Sequence, residues 1–441
     1  MNGRLPFLTL PDPLISGEGA IDPLGLATIG DHLANYLLPG LRARMARPRF
    51  VTAIAVAAAV CDGLEDQISV DGMSPAHQVF EWLLVEAFVR ECPPDAVMRT
   101  PGIQKAREVI QSKDSMCART YLKTPGVFGF HGVYKPLAQY LRIVDDEMRL
   151  GDFGYELLDV WQVEQELSGF LSGTANGGGG RAIRQILRTA VEDGLTAGRT
   201  SRGPGWQGWR ILAKHLAPSS IGRKEGTYIR RMFEDPEADP RGEVFRLLAS
   251  VPIDPSDREY GVTQSVLVPG ASEVLKSRIK CINAYEGACA VVEEAFDWIR
   301  YLSTNSIGQP ISAEKYSKEP RTGQLARALP LAIAEVENAV AVGPSNVQHL
   351  FADLAAAFDG VRDAPTLFEA ILVRHEQVQI AKPPEGKRSW FERGDSSSAM
   401  VRPPYRTHER PTGERGWNRP YRVDAALSFL ADLKAPGDGQ V

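Results

Sequence analysis

A basic segment at positions 181–231 holds the residues best suited to binding chemistry. Its eleven Lys and Arg outnumber its three acidic residues, which leaves a local balance of +8 in a chain whose net charge is −5. The first three cations are spaced i, i+3 and i+7, so they share one face of a helix, and such a face attracts a phosphate backbone. The predicted binding cations are Arg181, Arg184, Arg188, Arg199, Arg202, Arg210, Lys214, Arg223, Lys224, Arg230 and Arg231.

Aromatic residues are interleaved with these cations at Trp206, Trp209 and Tyr228. The bases of a single strand stack on aromatic rings next to cations, so Trp206 joins the predicted sites of contact with DNA or RNA. The alternative is a basic face that is neutralised within the chain, for example by the acidic helix that carries Asp159, Glu164 and Glu166. A second basic region follows position 382, where Lys387 and Arg388 are candidates either for nucleic-acid contact or for docking.

Residues that could support catalysis do not form a recognisable motif. The histidines are scattered, and His375-Glu376 lacks the second histidine of a zinc-binding helix. Glu385-Gly386-Lys387 matches only half of a nuclease motif, and Asp145-Asp146-Glu147 is more typical of a solvated turn than of a divalent-ion site. We therefore predict no catalytic residue, no metal site and no cofactor.

The secondary-structure elements that position the candidate binding residues are predicted to be mainly helices. Apolar residues recur at helical spacing from Leu26 to Leu37 and again over positions 273–303. The sequence predicts a mainly α fold with a helical N-terminal unit, a winged-helix-like segment and a C-terminal helical bundle. The predicted segments are an N-terminal helical domain (1–100), a winged-helix-like domain (101–165), a basic loop-rich helical region (166–260), a helical bundle (261–382) and an extended basic tail (383–441).

The winged-helix interpretation rests on element order in residues 101–165. Helices are predicted at Ile103–Gln111, Ser115–Leu122 and Val133–Arg142, followed by a β-hairpin around an acidic turn and then by a run of the form L-x-x-x-G-x-x-L-L that starts at Leu150. Asp152 is the predicted cap of the closing helix. A recognition helix would enter the major groove, but here it offers only Lys135 and Arg142 as cations. The alternative is a winged helix that serves as a structural or protein-binding element.

Composition limits the class of protein. The chain of 441 residues is 43% hydrophobic and 24% charged, which is ordinary for globular domains. Five cysteines without a C-x-x-C pair indicate buried, reduced thiols. The most apolar stretch, Phe50 to Val60, is too short for a membrane span of about 20 residues, and the N-terminus lacks the pattern of a signal peptide. We expect a cytoplasmic protein with no membrane partner.

The stretch Pro23 to Phe50 resembles a family of bacterial proteins that carry a domain of unknown function and are often encoded in antiphage-defence islands. The residues that carry the resemblance are Leu24, Gly25, Ile29, Asp31, Leu38, Pro39, Gly40, Arg47, Arg49 and Phe50. The layout of the Gly-rich segment at 126–132 and of the helix around Tyr285 to Phe296 is also similar. The resemblance implies a role in antiviral defence and supplies no catalytic residues.

Three hypotheses follow from these patterns. The first is a non-enzymatic, nucleic-acid-associated subunit of a bacterial defence or DNA-processing system, which works with other protein subunits. The second is a scaffold of such a system that binds another protein and has no affinity for nucleic acid. The third is a metal-dependent nuclease whose site is assembled from distant residues.

Overall fold

A computed structural model describes most of the chain as helices, which confirms the mainly α fold. The described residues are 22–172, 179–235, 237, 240–254, 257–306, 308–382, 387–394, 397–413 and 416–433. They divide into two compact units. The first unit takes the described residues of Met1–Tyr36 and Glu273–Arg419, and the second takes those of Leu37–Ser272 and Pro420–Val441. The predicted segments 1–100 and 383–441 are therefore each divided between the two units.

Helices follow one another along the chain, with few strands between them. Up to position 272 the helices are α1 (Ala27–Leu37), α2 (Phe50–Val60), α3 (Ala76–Glu91), α4 (Ile103–Gln111), α5 (Pro125–Phe128), α6 (Phe130–Tyr140), α7 (Asp152–Glu164), α8 (Gly180–Ala197), α9 (Gln207–Leu216), α10 (Arg223–Glu234), α11 (Arg241–Ala249), α12 (Glu259–Val262) and α13 (Val268–Gly270). From position 273 they are α14 (Glu273–Thr304), α15 (Ala313–Ser317), α16 (Pro320–Val340), α17 (Ser345–Ala356), α18 (Ala364–Ala381) and α19 (Val423–Leu433). A π-helical segment, Thr263–Leu267, connects α12 to α13, and a short 3-10 helix spans Pro403–Tyr405.

The helix α2 lies at the centre of the second unit and is buried along its whole length. Its alanines carry small side chains, so α3, α6, α7 and α8 all pack against it. This is the core helix that the apolar stretch Phe50 to Val60 predicted. Among the described residues, no helix is both long and apolar enough to cross a membrane.

A buried ion pair fixes the start of α2. The side chain of Arg49 is 1% exposed, and its Nη2 lies 3.3 Å from Oε2 of the fully buried Glu225 on α10. The same guanidinium donates to the carbonyl oxygens of His215 and Ala217 at 2.9 and 2.8 Å. Thr52 donates its hydroxyl to Glu225 at 2.6 Å. Because buried charges need both an opposite charge and hydrogen bonds, this network joins α2 to the end of α9 and to α10.

The segment predicted to be winged-helix-like has helices at its first and third predicted positions but only a trace of the hairpin. The predicted helix Ile103–Gln111 is confirmed as α4. Ser115–Leu122, predicted as a helix, forms turns instead, since Thr120 donates its hydroxyl to the carbonyl of Ser115 at 2.7 Å. In place of a β-hairpin, Val144 and Leu150 form one isolated antiparallel bridge.

The leucine run that follows this bridge packs onto the core. A side chain at Gly154 would place its Cβ 2.2 Å from the carbonyl oxygen of Ile143, so the close approach requires glycine. Leu157 and Leu158 on α7 are fully buried. The prediction that Asp152 caps this helix is wrong: Gly151 is the N-cap, and Asp152 lies in the first turn without a side-chain capping bond.

The first unit is a helical bundle with a small sheet at one side. The long helix α14 packs along α16 and α18, and α17 packs on α16. The strands β1 (Ile311–Ser312), β2 (Phe391–Gly394) and β3 (Ser398–Val401) form an antiparallel sheet in the order β1-β3-β2. Strand β3 packs on α14, and Ser303 accepts the N–H of Val401 at 2.8 Å.

The prediction of an extended tail over 383–441 is wrong in two places. Phe391–Gly394 and Ser398–Val401 form the paired strands β2 and β3, whose buried Phe391 and Val401 oppose each other. Residues 423–433 form α19 in the second unit, with Phe429 and Leu433 buried. The tail therefore contributes apolar surface to the cores of both units.

Replacing Arg49 should reveal the cost of leaving Glu225 buried without its cation. We expect Arg49→Met to lower the free energy of unfolding by about 3–5 kcal/mol, as for other broken buried pairs. The double variant Arg49→Met/Glu225→Gln should recover part of that loss in urea titrations, because no buried charge is left. Equal losses in the single and double variants would contradict this account.

Candidate nucleic-acid interface

Arg184, predicted to lie on a basic face of α8, instead closes the far end of α2. Its Nε donates to the carbonyl oxygen of Ala59 at 2.8 Å, and Nη1 donates to that of Leu171 at 3.0 Å. Its Nη2 forms an ion pair with Asp62 at 3.1 Å. The last carbonyls of a helix have no partner within that helix, so Arg184 satisfies a need of the fold.

Arg188 is engaged in the same region, whereas Arg181 is not. Arg188 donates to the carbonyl oxygen of Asp62 at 2.5 Å and pairs with Glu192 on its own helix at 3.0 Å. Arg181, in the first turn of α8, is exposed. The three arginines that share a face by spacing therefore have different roles, and the surface cation among them is Arg181.

The aromatic residues of the segment are largely used for packing. Trp209 is fully buried and donates its Nε1–H to the carbonyl of Gly203 at 2.9 Å. Trp206 is half-buried and meets Trp209 edge-on, with 4.8 Å between ring centroids. Arg202 lies 5.5 Å from the Trp206 ring and pairs with Asp193. Burial excludes base stacking on Trp209, and stacking on Trp206 stays a prediction.

On α10, two of the predicted cations contact neighbours on their own helix. Arg230 pairs with Glu234 at 2.8 Å. Arg231 is exposed, and its guanidinium lies 5.6 Å from the ring centroid of Tyr228. Tyr228 donates its hydroxyl to Glu156 at 2.9 Å. Burial and this hydrogen bond raise the pKa of Tyr228, so the ring stays neutral beside the cation.

The acidic groups near this segment are mostly committed to other tasks. Glu164 on α7 accepts the backbone N–H groups of Lys224 and Glu225 at 2.8 and 2.9 Å, so it caps α10 and does not pair with a basic side chain there. Within 181–231, all three acidic residues already have cationic partners. The pairs are Glu192 with Arg188, Asp193 with Arg202, and Glu225 with Arg49.

Seven of the eleven predicted cations of the segment stay exposed. They are Arg181, Arg199, Arg210, Lys214, Arg223, Lys224 and Arg231. Arg210 and Lys214 lie one turn apart on α9, and Arg223 and Lys224 begin α10. The nearest acid to Arg210 is Glu91, at 3.7 Å, but the Arg210 side chain is 86% exposed. These seven side chains form the candidate interface, with a charge that suits phosphate groups.

The predicted recognition helix, α6, is mainly a core helix. Its Tyr134 is buried and accepts the N–H of Ala46 at 2.9 Å. Lys135 is half-buried, and Arg142 lies beyond the helix end with its guanidinium 4.6 Å from the Phe153 ring. Neither cation is therefore part of an exposed basic helix face.

The remaining predicted sites lie elsewhere. Lys387 and Arg388 belong to the first unit, whereas the cations of α8–α10 belong to the second. Glu385 and Gly386 of the half nuclease motif lie outside the described residues. Asp145 accepts the N–H of Arg149 at 2.8 Å in an exposed turn. Within the part of the chain that the structure describes, no group of three or more His, Cys, Asp or Glu is arranged to hold a metal ion.

Comparison of the whole chain with known proteins finds no matching protein family, no matching curated protein and no matching solved structure. The assignment of the interface therefore depends on its own charges and contacts.

The second unit contains a buried polar cluster that the sequence patterns do not predict. Glu81 on α3 accepts hydrogen bonds from the hydroxyl of Tyr121 at 3.1 Å and from the backbone N–H of His131 at 3.0 Å. Its Oε2 also lies 3.1 Å from Nδ1 of His131, whose ring centroid is 5.2 Å from that of His77. The available signal was the i, i+4 spacing of His77 and Glu81 on one helix.

Measurements of the free energy of unfolding can distinguish the structural role of Arg184 from the exposed position of Arg181 on α8. Arg184→Gln removes charge-assisted bonds to the end of α2, and we expect it to lower the free energy of unfolding by about 2 kcal/mol. Arg181→Gln, the matched change at an exposed position, should stay within about 0.5 kcal/mol. Urea titration of both variants checks this, and equal effects would refute the structural role of Arg184.

Glu81 should make stability depend on pH. Burial raises its pKa from 4.5 to about 7, although hydrogen bonds from His131 and Tyr121 oppose the shift. The unfolded chain ionises first, so the stability contributed by neutral Glu81 is present below its unfolded pKa and is lost as pH rises towards about 7. Glu81→Gln cannot ionise, so the stability of the wild type relative to this variant should fall across that window.

Urea titrations at several pH values measure this difference. Glu108→Gln makes the same chemical change at an exposed carboxylate, and its curve should run parallel to that of the wild type. A constant difference between wild type and Glu81→Gln would show that Glu81 does not titrate in this range.

Proposed function

We propose that the protein binds nucleic acid through its phosphate backbone, as a non-enzymatic cytoplasmic subunit of a bacterial antiviral-defence or DNA-processing system. One observation carries the proposal. The acids of the segment 181–231 are already paired, whereas seven of its cations stay exposed, six of them on α8–α10 and Arg199 just after α8. Intramolecular pairing therefore leaves an excess of positive charge on the surface of a chain that is acidic overall.

The winged-helix-like segment would orient the protein in this proposal. Its helices α4, α5 and α6 are followed by the Val144–Leu150 bridge and by α7, an order compatible with that fold. The turn within the bridge exposes Asp145, Asp146 and Glu147, which repel phosphate. Affinity is accordingly assigned to α8–α10.

The context of antiviral defence is supported by the family resemblance of Pro23 to Phe50. Two of the residues that carry it have structural roles here. Arg47 pairs with Asp432 at 2.6 Å, and Arg49 holds the buried network around Glu225. Arg47 and Arg49 therefore serve the fold of this chain and do not mark a reactive site.

A protein-binding scaffold is the second candidate, and an exposed apolar loop supports it. The side chains of Ile68, Val70 and Met73 are 53%, 72% and 69% exposed. Large apolar side chains close together in sequence and open to solvent are typical of protein-binding surfaces. The two candidates are compatible, since a subunit that binds nucleic acid also needs a surface for its partners.

Charge reversal at the interface tests nucleic-acid binding. We expect the quadruple variant Arg210→Glu/Lys214→Glu/Arg223→Glu/Lys224→Glu to lose affinity for a fluorescein-labelled single strand, measured by fluorescence anisotropy. For the wild type, four phosphate contacts on a single strand predict that log K falls with log salt concentration with a slope of about −3. The same titration with a duplex distinguishes the two kinds of nucleic acid.

A matched control reverses four exposed cations of the first unit: Lys280→Glu, Lys315→Glu, Lys318→Glu and Arg327→Glu. It changes the net charge equally and should keep most of the affinity. Arg184 and Arg188 are left intact because they stabilise the fold. If both quadruple variants bind as the wild type does, or if the salt slope is near zero, the proposal is wrong and the scaffold becomes the better explanation.

A further inference from the structure

A cavity of about 290 Å³ lies beside α3 and α6 in the second unit. His77 and Glu81 line it from α3, His131 and Lys135 line it from α6, and Arg42 lines it from the loop before α2. Ligand sites of this size suit small molecules. Nothing in the proposed binding of nucleic acid by α8–α10 uses these side chains.

Glu81 fixes the orientation of the His131 ring. Its carboxylate approaches closely because residue 129 is glycine: a Cβ there would lie 2.0 Å from Oε1 of Glu81. Once Glu81 is ionised, the Nδ1–H group of His131 donates a hydrogen bond to the carboxylate, and the other ring nitrogen keeps a lone pair. That nitrogen, Nε2, is buried and has no hydrogen-bond partner among the described residues.

Lys135 and Arg42 supply two positive charges at this cavity, beside the single negative charge of ionised Glu81. Burial, helped by Lys135, lowers the pKa of His131 to about 3, and burial together with His131 lowers that of His77 to about 3. Both imidazoles are therefore neutral near neutral pH. A matching ligand must bring negative charge for the two cations and a hydrogen-bond donor for Nε2 of His131, since an unmatched buried acceptor costs free energy.

We propose that this cavity binds a small oxyanion that carries a hydroxyl group, of which hydrogen phosphate is the simplest. Lys135 and Arg42 bind its charged oxygens, and His131 Nε2 accepts the hydrogen bond from its O–H. Sulfate has the same shape and charge but no O–H at neutral pH, so it leaves Nε2 unsatisfied. Sites that hydrogen-bond a ligand hydroxyl discriminate strongly against analogues that lack it.

Isothermal titration calorimetry with sodium phosphate and sodium sulfate tests the proposal at about pH 8, where Glu81 is ionised. We expect phosphate to bind at least about tenfold more tightly than sulfate. Lys135→Met removes one charge-assisted bond and should weaken phosphate about tenfold. Lys123→Met makes the same change at an exposed lysine that does not line the cavity and should have no effect.

Three further measurements do not depend on the Lys135→Met variant. Phosphate should shift the imidazole nitrogen NMR resonances of His77 and His131 in the wild-type protein. The quadruple variant at α9 and α10 should keep phosphate affinity, which separates this cavity from the nucleic-acid interface. A glycerol phosphate titration identifies the source of the anion: tighter binding indicates a phosphorylated alcohol, and weaker binding indicates free phosphate.

Three outcomes would overturn the proposal. They are equal affinity for phosphate and sulfate, phosphate binding that Lys135→Met leaves unchanged, and histidine resonances that phosphate does not move.

Discussion

The fully buried helix α2 imposes the constraint on which the second unit depends. A helix that is covered on all sides cannot hydrate the polar groups at its ends. Arg49 enters the core directly before the helix and is matched there by Glu225. Arg184 reaches the carbonyl of Ala59 at the other end. Two arginines from distant parts of the chain thus make an apolar central helix compatible with burial, and α8 and α10 are held in place by the same contacts.

This constraint also explains why counting charges overestimates the binding surface. The spacing of Arg181, Arg184 and Arg188 correctly predicts a shared helical face, since α8 spans Gly180–Ala197. Spacing does not show what that face meets. Two of the three arginines are needed near the end of α2, and six of the seven exposed cations lie farther along, between Arg199 and Arg231. Arg184 and Arg188 are assigned to the fold by contacts with residues more than 100 positions away in the sequence, which spacing within one helix does not show.

Local patterns predicted the long helices and failed where pairing is long-range. The apolar periodicity of α1 and α14 fixes both helices within about one residue, because each buries a continuous face. Strand β1 was missed, since it has only two residues and its Ser312 pairs with Ser398 of β3, 86 positions later. The pairing of Glu81 with His131 was missed for the same reason: 50 positions separate them.

The position of that pair is itself a consequence of α2. Phe130 and Tyr134 on α6 pack on Phe50 of α2, with ring centroids 5.3 and 5.0 Å apart, and this contact places His131 against Glu81. Burying Glu81 costs desolvation free energy, which is the cause of its raised pKa. Two apolar side chains of similar volume in place of Glu81 and His131 would avoid that cost. Stability alone therefore does not account for a buried carboxylate and imidazole beside a cavity that also contains Lys135. Recognition of an anion does account for them, because Glu81 leaves His131 with one acceptor nitrogen available for the hydroxyl of a ligand.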